Sequence, residues 1–160
     1  RSLPFNNFRA GFSFAIPPFG QIRARSYLIL GSLATVGAEA EWLDENLPPF
    51  GVLDAPVADA EVSGTVPLHG WVLDNKGVAA VELIIDGGTP IPLTYGASRP
   101  DVCAVWPGYP GCASGNVGYG GSFDAGALTP AESGHVLEVK ATDSHGNQRV
   151  IARQRVYLAD

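Results

Sequence analysis

The sequence has little charge and no methionine. The first shortage argues against two classes of protein, and the second bears on where the chain begins. Of 160 residues, 46% are hydrophobic and only 16% are charged, the reverse of a disordered chain. Lys and Arg number 10 against 16 Asp and Glu, and the net charge of −6 disfavours a nucleic-acid binder with a basic stripe. Because it starts at Arg1 without a Met, we expect a processed product or a fragment of a longer polypeptide.

Long hydrophobic runs are also missing. The longest apolar stretches, around Tyr27–Leu30 and Val78–Ile85, are far shorter than the roughly 20 residues that span a bilayer. Turn residues are abundant instead, with 20 Gly and 13 Pro, which indicates short strands rather than long helices. We therefore expect one ordinary domain, or a small domain with part of another, and no membrane insertion.

Charge and turn residues divide the chain near residue 50. Residues 1–50 hold four Arg and four acids, so the whole net charge of −6 lies in residues 51–160. The break falls at Leu47–Gly51, where two prolines and a glycine end any regular element. We predict two parts with these bounds, 1–50 and 51–160.

The first part has the pattern of two strands and a helix. Phe12–Ile16 and Gln21–Leu30 have the pattern of strands, and Ala34–Asn46 places apolar residues at helical spacing. Elements of this size cannot bury a core of their own. We interpret residues 1–50 as the C-terminal remnant of an upstream domain, with an N-terminal extension packed on the following domain as the alternative.

The second part has the pattern of an all-β antiparallel sandwich. Turn clusters at Asp74–Gly77, Asp86–Gly88 and Asp143–Asn147 separate segments with strand character. These segments are Glu61–Val66, Leu68–Leu73, Val78–Ile85, His135–Ala141 and Gln148–Leu158, with Thr89–Thr94 as an edge strand or extended loop. Tyr95–Gly121 has seven glycines, three prolines and no sustained period, and we predict one long irregular segment there.

Several motifs of this part occur in the order found in a known family. Val62-Ser63-Gly64 precedes Gly70-Trp71 and Asp74, Arg99-Pro100-Asp101 follows, and Gly134-His135 opens a closing hairpin that ends at Gly146-Asn147. Over residues 55–158 the sequence thus resembles bacterial Ig-like domains, the Ig and fibronectin type III kind of module. The resemblance implies an Ig-like sandwich of about seven strands, a non-catalytic accessory module of secreted or surface-attached bacterial proteins.

Two cysteines, Cys103 and Cys112, depart from the family pattern. They lie nine positions apart in one Gly/Pro-rich segment, where a disulfide would suit an oxidising compartment. A metal pair would want closer spacing and further Cys or His nearby, and a catalytic cysteine would want a neighbouring base. We predict the disulfide, with free thiols or a metal as the alternative.

The candidate binding residues are concentrated in the same segment. The aromatic rings of Tyr95, Trp106, Tyr109 and Tyr119 would suit the faces of sugars. Alternatively, Trp106 and Tyr109 would anchor the segment as a small core of its own. Arg99 and Asp101 would form a ligand or calcium site, or an internal ion pair or turn cap. For the three turn aspartates, Asp74, Asp86 and Asp143, capping is expected, with calcium as the alternative.

No catalytic set is evident in the sequence. The three histidines, His69, His135 and His145, fall on separate segments, and no motif for a metal, nucleotide or other cofactor is found. We expect a spacer, adhesion unit or carbohydrate- or protein-binding unit, whose partner is an extracellular glycan, a protein or a neighbouring domain. The alternative is the C-terminal fragment of a secreted polysaccharide-active enzyme whose catalytic residues lie upstream.

Overall fold

A computed structural model describes Leu28, residues 30–130 and residues 134–159 of the chain. The chain divides into two compact units, Arg1–Ala40 and Glu41–Asp160. The predicted strand at Phe12–Ile16 and most of the one at Gln21–Leu30 lie outside the described residues. The predicted domain bounds, 1–50 and 51–160, stay a prediction.

Helix α1 spans Leu33–Glu45 and confirms the helix that the apolar spacing predicts. It begins after Ser32, whose Oγ accepts a hydrogen bond from the Thr35 backbone N–H at 3.2 Å, as an N-cap does. It ends before Asn46, whose side-chain amide donates to the Trp42 carbonyl at 2.8 Å. No residue of α1 is buried.

Nine strands in the described part of the chain form two sheets. The four-stranded sheet has the order β1-β3-β7-β6, with β1 at Phe50–Ala55, β3 at Thr65–Leu73, β7 at Gly118–Asp124 and β6 at Thr94–Ala97. The five-stranded sheet has the order β2-β9-β8-β4-β5, with β2 at Ala60–Val62, β9 at Gln148–Leu158, β8 at His135–Asp143, β4 at Val78–Ile85 and β5 at Ile91–Pro92.

This architecture confirms the predicted all-β Ig-like sandwich. The pairs described are antiparallel except for β2 with β9, which is parallel. Two strands are very short, β2 with three residues and β5 with two, and they account for the difference from the expected seven. The two prolines of Thr89–Thr94 confine β5 to a sheet edge, as predicted.

The main core lies between the two sheets and follows the alternation read from the sequence. In β8, residues 135, 137, 139, 141 and 143 are buried and the residues between them are half-buried. Opposite residues of β4 and β8 bring Leu83 beside Val139 and Val81 beside Ala141. The fully buried apolar residues of this core include Leu68, Val72, Leu83, Leu137, Val139 and Val156.

The prediction of one irregular segment at Tyr95–Gly121 is wrong. The segment contains most of β6, a short helix α2 at Pro100–Val105 and the first half of β7. Strand β7 shows no hydrophobic alternation because glycines occupy positions where the adjacent strands of the sheet approach closely. A Cβ at Gly118, for example, would lie 2.9 Å from the Ala97 carbonyl oxygen.

The strand predicted at Glu61–Val66 is also interrupted. Strand β2 ends at Val62 and β3 begins at Thr65, with Gly64 between them at a φ of +58°. A left-handed residue breaks the extended run, and glycine takes this conformation at little cost.

Asp86 does more than cap its turn. Its Oδ2 lies 2.7 Å from Nδ1 of His135, which is 1% exposed, and its Oδ1 accepts the Val136 N–H at 2.7 Å. Burial acts to raise the pKa of Asp86, but the Val136 N–H and the His135 ring outweigh it and lower that pKa. The turn after β4 is thus joined to the beginning of β8.

We expect Asp86→Ala to lower the free energy of unfolding by about 1–3 kcal/mol, because it leaves the buried His135 ring without its partner. Asp86→Asn keeps an acceptor and tolerates the φ of +51° at this position, so its loss should be smaller. Since the pKa is lowered, the wild-type contribution is present above the ordinary value of 3.8 and fades as pH falls below it. Urea unfolding at pH 7 and pH 3 measures both effects, and equal stability of Asp86→Ala and wild type at pH 7 would contradict them.

Candidate functional site

The segment from Arg99 to Asn116 covers one end of the sandwich and is closed by a disulfide. Cys103 on α2 is bonded to Cys112, with their Cα atoms 5.0 Å apart, which confirms the predicted pairing. Pro100 stands at the N-terminal end of α2, where a missing N–H costs nothing. Beyond α2, successive turns return the chain to Cys112, whose N–H donates to the Tyr109 carbonyl at 3.1 Å.

Beneath this segment lies a second, smaller core. Its buried members are Leu73, Val102, Cys103 and Val117, with Leu73 and Val117 fully buried. Leu73 ends β3 and Val117 precedes β7, so the disulfide-closed segment packs where these two strands meet. The Val72 N–H donates to the Val117 carbonyl at 3.0 Å and fixes that meeting point.

Four aromatic rings form a cluster over the second core, which we call the aromatic cluster: Phe50, Trp71, Trp106 and Tyr109. Phe50 is at its centre, with ring centroids 6.0 Å from Trp71, 5.3 Å from Trp106 and 5.3 Å from Tyr109, all edge to face. Such pairs contribute about 0.5–1.5 kcal/mol each beyond their buried area. The sequence indicated Trp106 and Tyr109 but not Phe50, which lies on β1, more than fifty positions earlier.

The other two tyrosines of the predicted segment lie elsewhere. Tyr95 is on β6, packs against the main core and donates its hydroxyl to the Val72 carbonyl at 3.4 Å. No ring contact among the described residues includes it. Tyr119 is on β7, 1% exposed, and donates its hydroxyl to the Val52 carbonyl at 2.9 Å. Burial raises the pKa of Tyr119, and the Asp54 carboxylate adds to the rise.

Arg99 holds two carboxylates at the beginning of α2. Its Nε and Nη2 donate to the two oxygens of Asp101 at 2.9 and 2.8 Å, and its Nη1 donates to Asp54 on β1 at 2.5 Å. Hydrogen bonds to Asp101 and Asp54 raise the pKa of Arg99, while those from Arg99 lower the pKa of Asp101 to about 2. An internal ion pair of Arg99 and Asp101 was one of the two alternatives predicted from the sequence. Ligand binding by these residues, the other alternative, stays a prediction.

We expect Arg99→Ala to lower the free energy of unfolding by about 1 kcal/mol, a small figure because the pair with Asp54 is partly exposed. Arg99→Lys, the matched control, keeps the charge but not the two-pronged geometry, so it should lose less. The pKa of Asp101 is lowered, so the contribution of its carboxylate to the free energy of unfolding is present above pH 3.8 and is lost as pH falls through about 2. Thermal unfolding from pH 7 to pH 2 should show the variants converging with wild type, and a gap that widens with acid would contradict the assignment.

The described residues do not bring metal-binding groups together. Among them, no three His, Cys, Asp or Glu side chains are placed to hold a metal ion. His135 pairs with Asp86, whereas His145 lies in the turn between β8 and β9. No helix in the described ranges has the length and apolarity needed to cross a bilayer.

Two sheets with this strand order, closed by a hairpin of β8 and β9, define an immunoglobulin-like sandwich. The model of the family described as Bacterial Ig domain matches residues 49–105. The resemblance read from the motifs is confirmed where the family model matches, and the two sheets together have the fold of an Ig-like domain. Domains of this family are generally non-catalytic and occur in extracellular or surface proteins.

The chain matches less than two thirds of the length of each of the following solved structures. An endo-beta-1,4-mannanase from Thermotoga petrophila shares 9% identity at a TM-score of 0.48, over 71% of this chain and 20% of its own. Latent PorU from Porphyromonas gingivalis shares 19% identity at a TM-score of 0.49, over 75% of this chain and 11% of its own. The SrpA adhesin from Streptococcus sanguinis shares 17% identity at a TM-score of 0.41, over 70% of this chain and 57% of its own. No curated protein matches the chain, and identities this low give no basis for transferring an activity.

Proposed function

We propose that this domain is a non-catalytic, rigid spacer of a secreted or surface-attached bacterial protein, and that it holds neighbouring parts of the polypeptide apart. The observation that carries the proposal is that the predicted binding groups are engaged within the domain. Arg99 is bound by two carboxylates, and the rings of Trp106 and Tyr109 meet Phe50 edge to face. A sugar platform needs a flat ring face free of other contacts, whereas the rings of Trp106 and Tyr109 each pack against Phe50.

Stiffness is what a spacer needs, and three features support it. A disulfide closes the segment between β6 and β7, a second core lies beneath it, and the sandwich pairs β8 with β9 over eight register positions. Local opening is least frequent where buried contacts and paired strands are dense. Because these features occur at the end of the sandwich as well as in its middle, the domain is built to resist deformation along its length.

The experiment is a binding screen with a matched variant. The protein and Trp106→Ala are applied to glycan arrays and to pull-downs with insoluble polysaccharides, and we expect no retention of either. Retention of the wild type that Trp106→Ala abolishes would replace the spacer function with ligand binding. Retention of both proteins alike would point to a surface elsewhere and would also end the proposal.

The second candidate is a carbohydrate-binding accessory of a polysaccharide-active enzyme whose catalytic residues lie upstream. The observation that favours it is the exposure of two apolar side chains in succession, Val105 at 69% and Trp106 at 39%. Tyr109, Tyr95, Arg99 and Asp101 would then border the ligand. The same screen separates the two candidates, because only this one requires Trp106 for retention.

A further inference from the structure

The C-terminal end of α1 is held by side chains of the sandwich. The last carbonyls of a helix have no partner inside the helix and must find one elsewhere. Here the Asp44 carbonyl accepts from the Asn75 side-chain amide at 2.7 Å, and the Glu45 carbonyl accepts from that of Asn147 at 3.0 Å. The donors lie 31 and 102 positions away, so the helix end is capped by two turns of the folded domain.

The charges at this contact are complementary. The C-terminal end of a helix carries partial negative charge, which cations stabilise. Nζ of Lys76 lies 2.6 Å from Oδ2 of Asp44, and the Asn75 amide also donates to Oδ1 of Asp44 at 2.8 Å. Nδ1 of His145 lies 3.4 Å from the Glu45 carbonyl oxygen. Hydrogen bonds from Lys76 and Asn75 lower the pKa of Asp44, which keeps the partner of Lys76 ionised.

The first turn also has hydrogen bonds of its own, which do not include the helix. In the turn between β3 and β4, the buried Asp74 accepts the Lys76 N–H at 2.7 Å. Ser144 joins this turn to the next one, since its Oγ donates to the Lys76 carbonyl and its N–H to the Gly77 carbonyl, both at 2.8 Å.

The second turn, between β8 and β9, is built in the same way. Oδ1 of the buried Asp143 accepts the N–H groups of His145 and Asn147 at 2.8 Å, and its Oδ2 accepts the Asn147 side chain at 2.7 Å. Asp143 thereby orients the side-chain amide of Asn147, whose second N–H donates to the Glu45 carbonyl of the helix. The side chains of Asn75, Lys76, His145 and Asn147 are therefore presented by a preformed surface, which we call the helix-end receptor.

We propose that the helix-end receptor clamps the last turn of a preceding helix that ends in an acidic residue, and so fixes how the chain enters β1. Two consecutive prolines, Pro48 and Pro49, follow the clamped turn, and Pro49 is buried. Proline fixes φ, so the connection from Asn46 to Phe50 has little freedom of its own. This role rests on the proposed spacer function. A spacer can hold neighbouring parts of the polypeptide at a fixed distance only if the connection leading into it is stiff.

Amide hydrogen exchange of the whole chain, followed by NMR, tests the clamp. In the double variant Asn75→Ala/Lys76→Ala, the N–H groups of Glu45 and Asn46 should exchange about tenfold faster than in wild type. Asp44→Ala removes the side-chain contacts of Asp44 with Lys76 and Asn75 but keeps the Asn75 bond to the Asp44 carbonyl, so it should give a smaller increase. Asn116→Ala, the same change at an exposed asparagine outside the receptor, should leave these rates unchanged.

Two results would overturn the clamp. One is unchanged exchange at Glu45 and Asn46 in both variants. The other is faster exchange throughout β8 and β9 as well, because the contacts would then support the sandwich and not the helix end. Retained protection of the Lys76 N–H in Asp44→Ala is expected, since Asp74 holds it. A glycan bound through Trp106 would end the spacer function without altering these rates, so the two proposals fail separately.

Discussion

Gly70→Ala is expected to lower the free energy of unfolding by more than about 3 kcal/mol, among the largest effects of any single methyl group in this domain. Gly70 lies in the middle of β3, directly opposite Leu53 on β1. A Cβ there would overlap the Val52 carbonyl oxygen and would lie 2.7 Å from the Cζ atom of the buried Tyr119 ring. Neither neighbour can withdraw, since the first is strand backbone and the second fills the core.

The clash also disturbs a hydrogen bond. The Tyr119 hydroxyl donates to the same Val52 carbonyl at 2.9 Å, so an alanine at 70 would push apart two groups that are bonded to each other. A buried carbonyl that loses its donor adds its own penalty of about 1–3 kcal/mol. Tyr119→Phe removes only that hydrogen bond. Its loss of unfolding free energy should be smaller than that of Gly70→Ala, and it measures how much the lost hydrogen bond contributes.

Urea unfolding measures Gly70→Ala, and the chain supplies a matched control. Gly37 lies within α1, and a Cβ there would meet no heavy atom within 4 Å. Gly37→Ala should therefore leave the sandwich unchanged and favour the helix by about 0.5–1 kcal/mol. A Gly70→Ala protein that unfolds within about 0.5 kcal/mol of wild type would show that β1 and β3 can separate freely, against the close approach described here.

Gly70 also shows where prediction from the sequence ends. Alternation in β3 places Gly70 on the same face as Leu68 and Val72, and all three are buried. Two neighbours require glycine at this position, the Val52 carbonyl and the Tyr119 ring, and the sequence alone puts Tyr119 in an irregular segment. Glycines in β7 remove the alternation that marks a strand, so the core position of Tyr119 could not be read locally.

Local patterns predicted several elements correctly, whereas contacts between distant residues could not be predicted. Helix α1, β4 and β9 match their predicted bounds to within one residue, because spacing and turn residues act over a few positions. Partners far apart in sequence carry no such signal: Arg99 with Asp54, Phe50 with Tyr109, and Asn147 with Glu45. In the candidate site the local pairs Cys103–Cys112 and Arg99–Asp101 were predictable, whereas the distant partners Asp54 and Phe50 were not.

The second large effect concerns the Cys103–Cys112 bond. Closing ten residues restricts the unfolded chain by about 2.7 kcal/mol in the loop-entropy model, and reduction should remove that stabilisation. For a domain of this size the loss corresponds to a fall of about 10 °C in the midpoint of thermal unfolding. Differential scanning calorimetry with and without dithiothreitol measures it.

The position of the bond determines which part of the domain responds to reduction. Cys103 belongs to the second core with Val102, whereas β8 and β9 lie in the other sheet and pair only with strands of that sheet. Under reducing conditions we therefore expect faster amide exchange at Val102 and Cys103 and a change in Trp106 fluorescence, with the exchange rates in β8 and β9 little altered.

The variant Cys103→Ala/Cys112→Ala supplies the control, because it should unfold near the reduced wild type and show no response to dithiothreitol. A free-thiol assay on the native protein should find no reactive cysteine, since both sulfurs are bonded to each other. Two reactive thiols, or a midpoint indifferent to reductant, would contradict the prediction. The segment would then be held by the second core, the aromatic cluster and Arg99, and Phe50→Ala, which removes the central ring of that cluster, would become the variant that tests its anchoring.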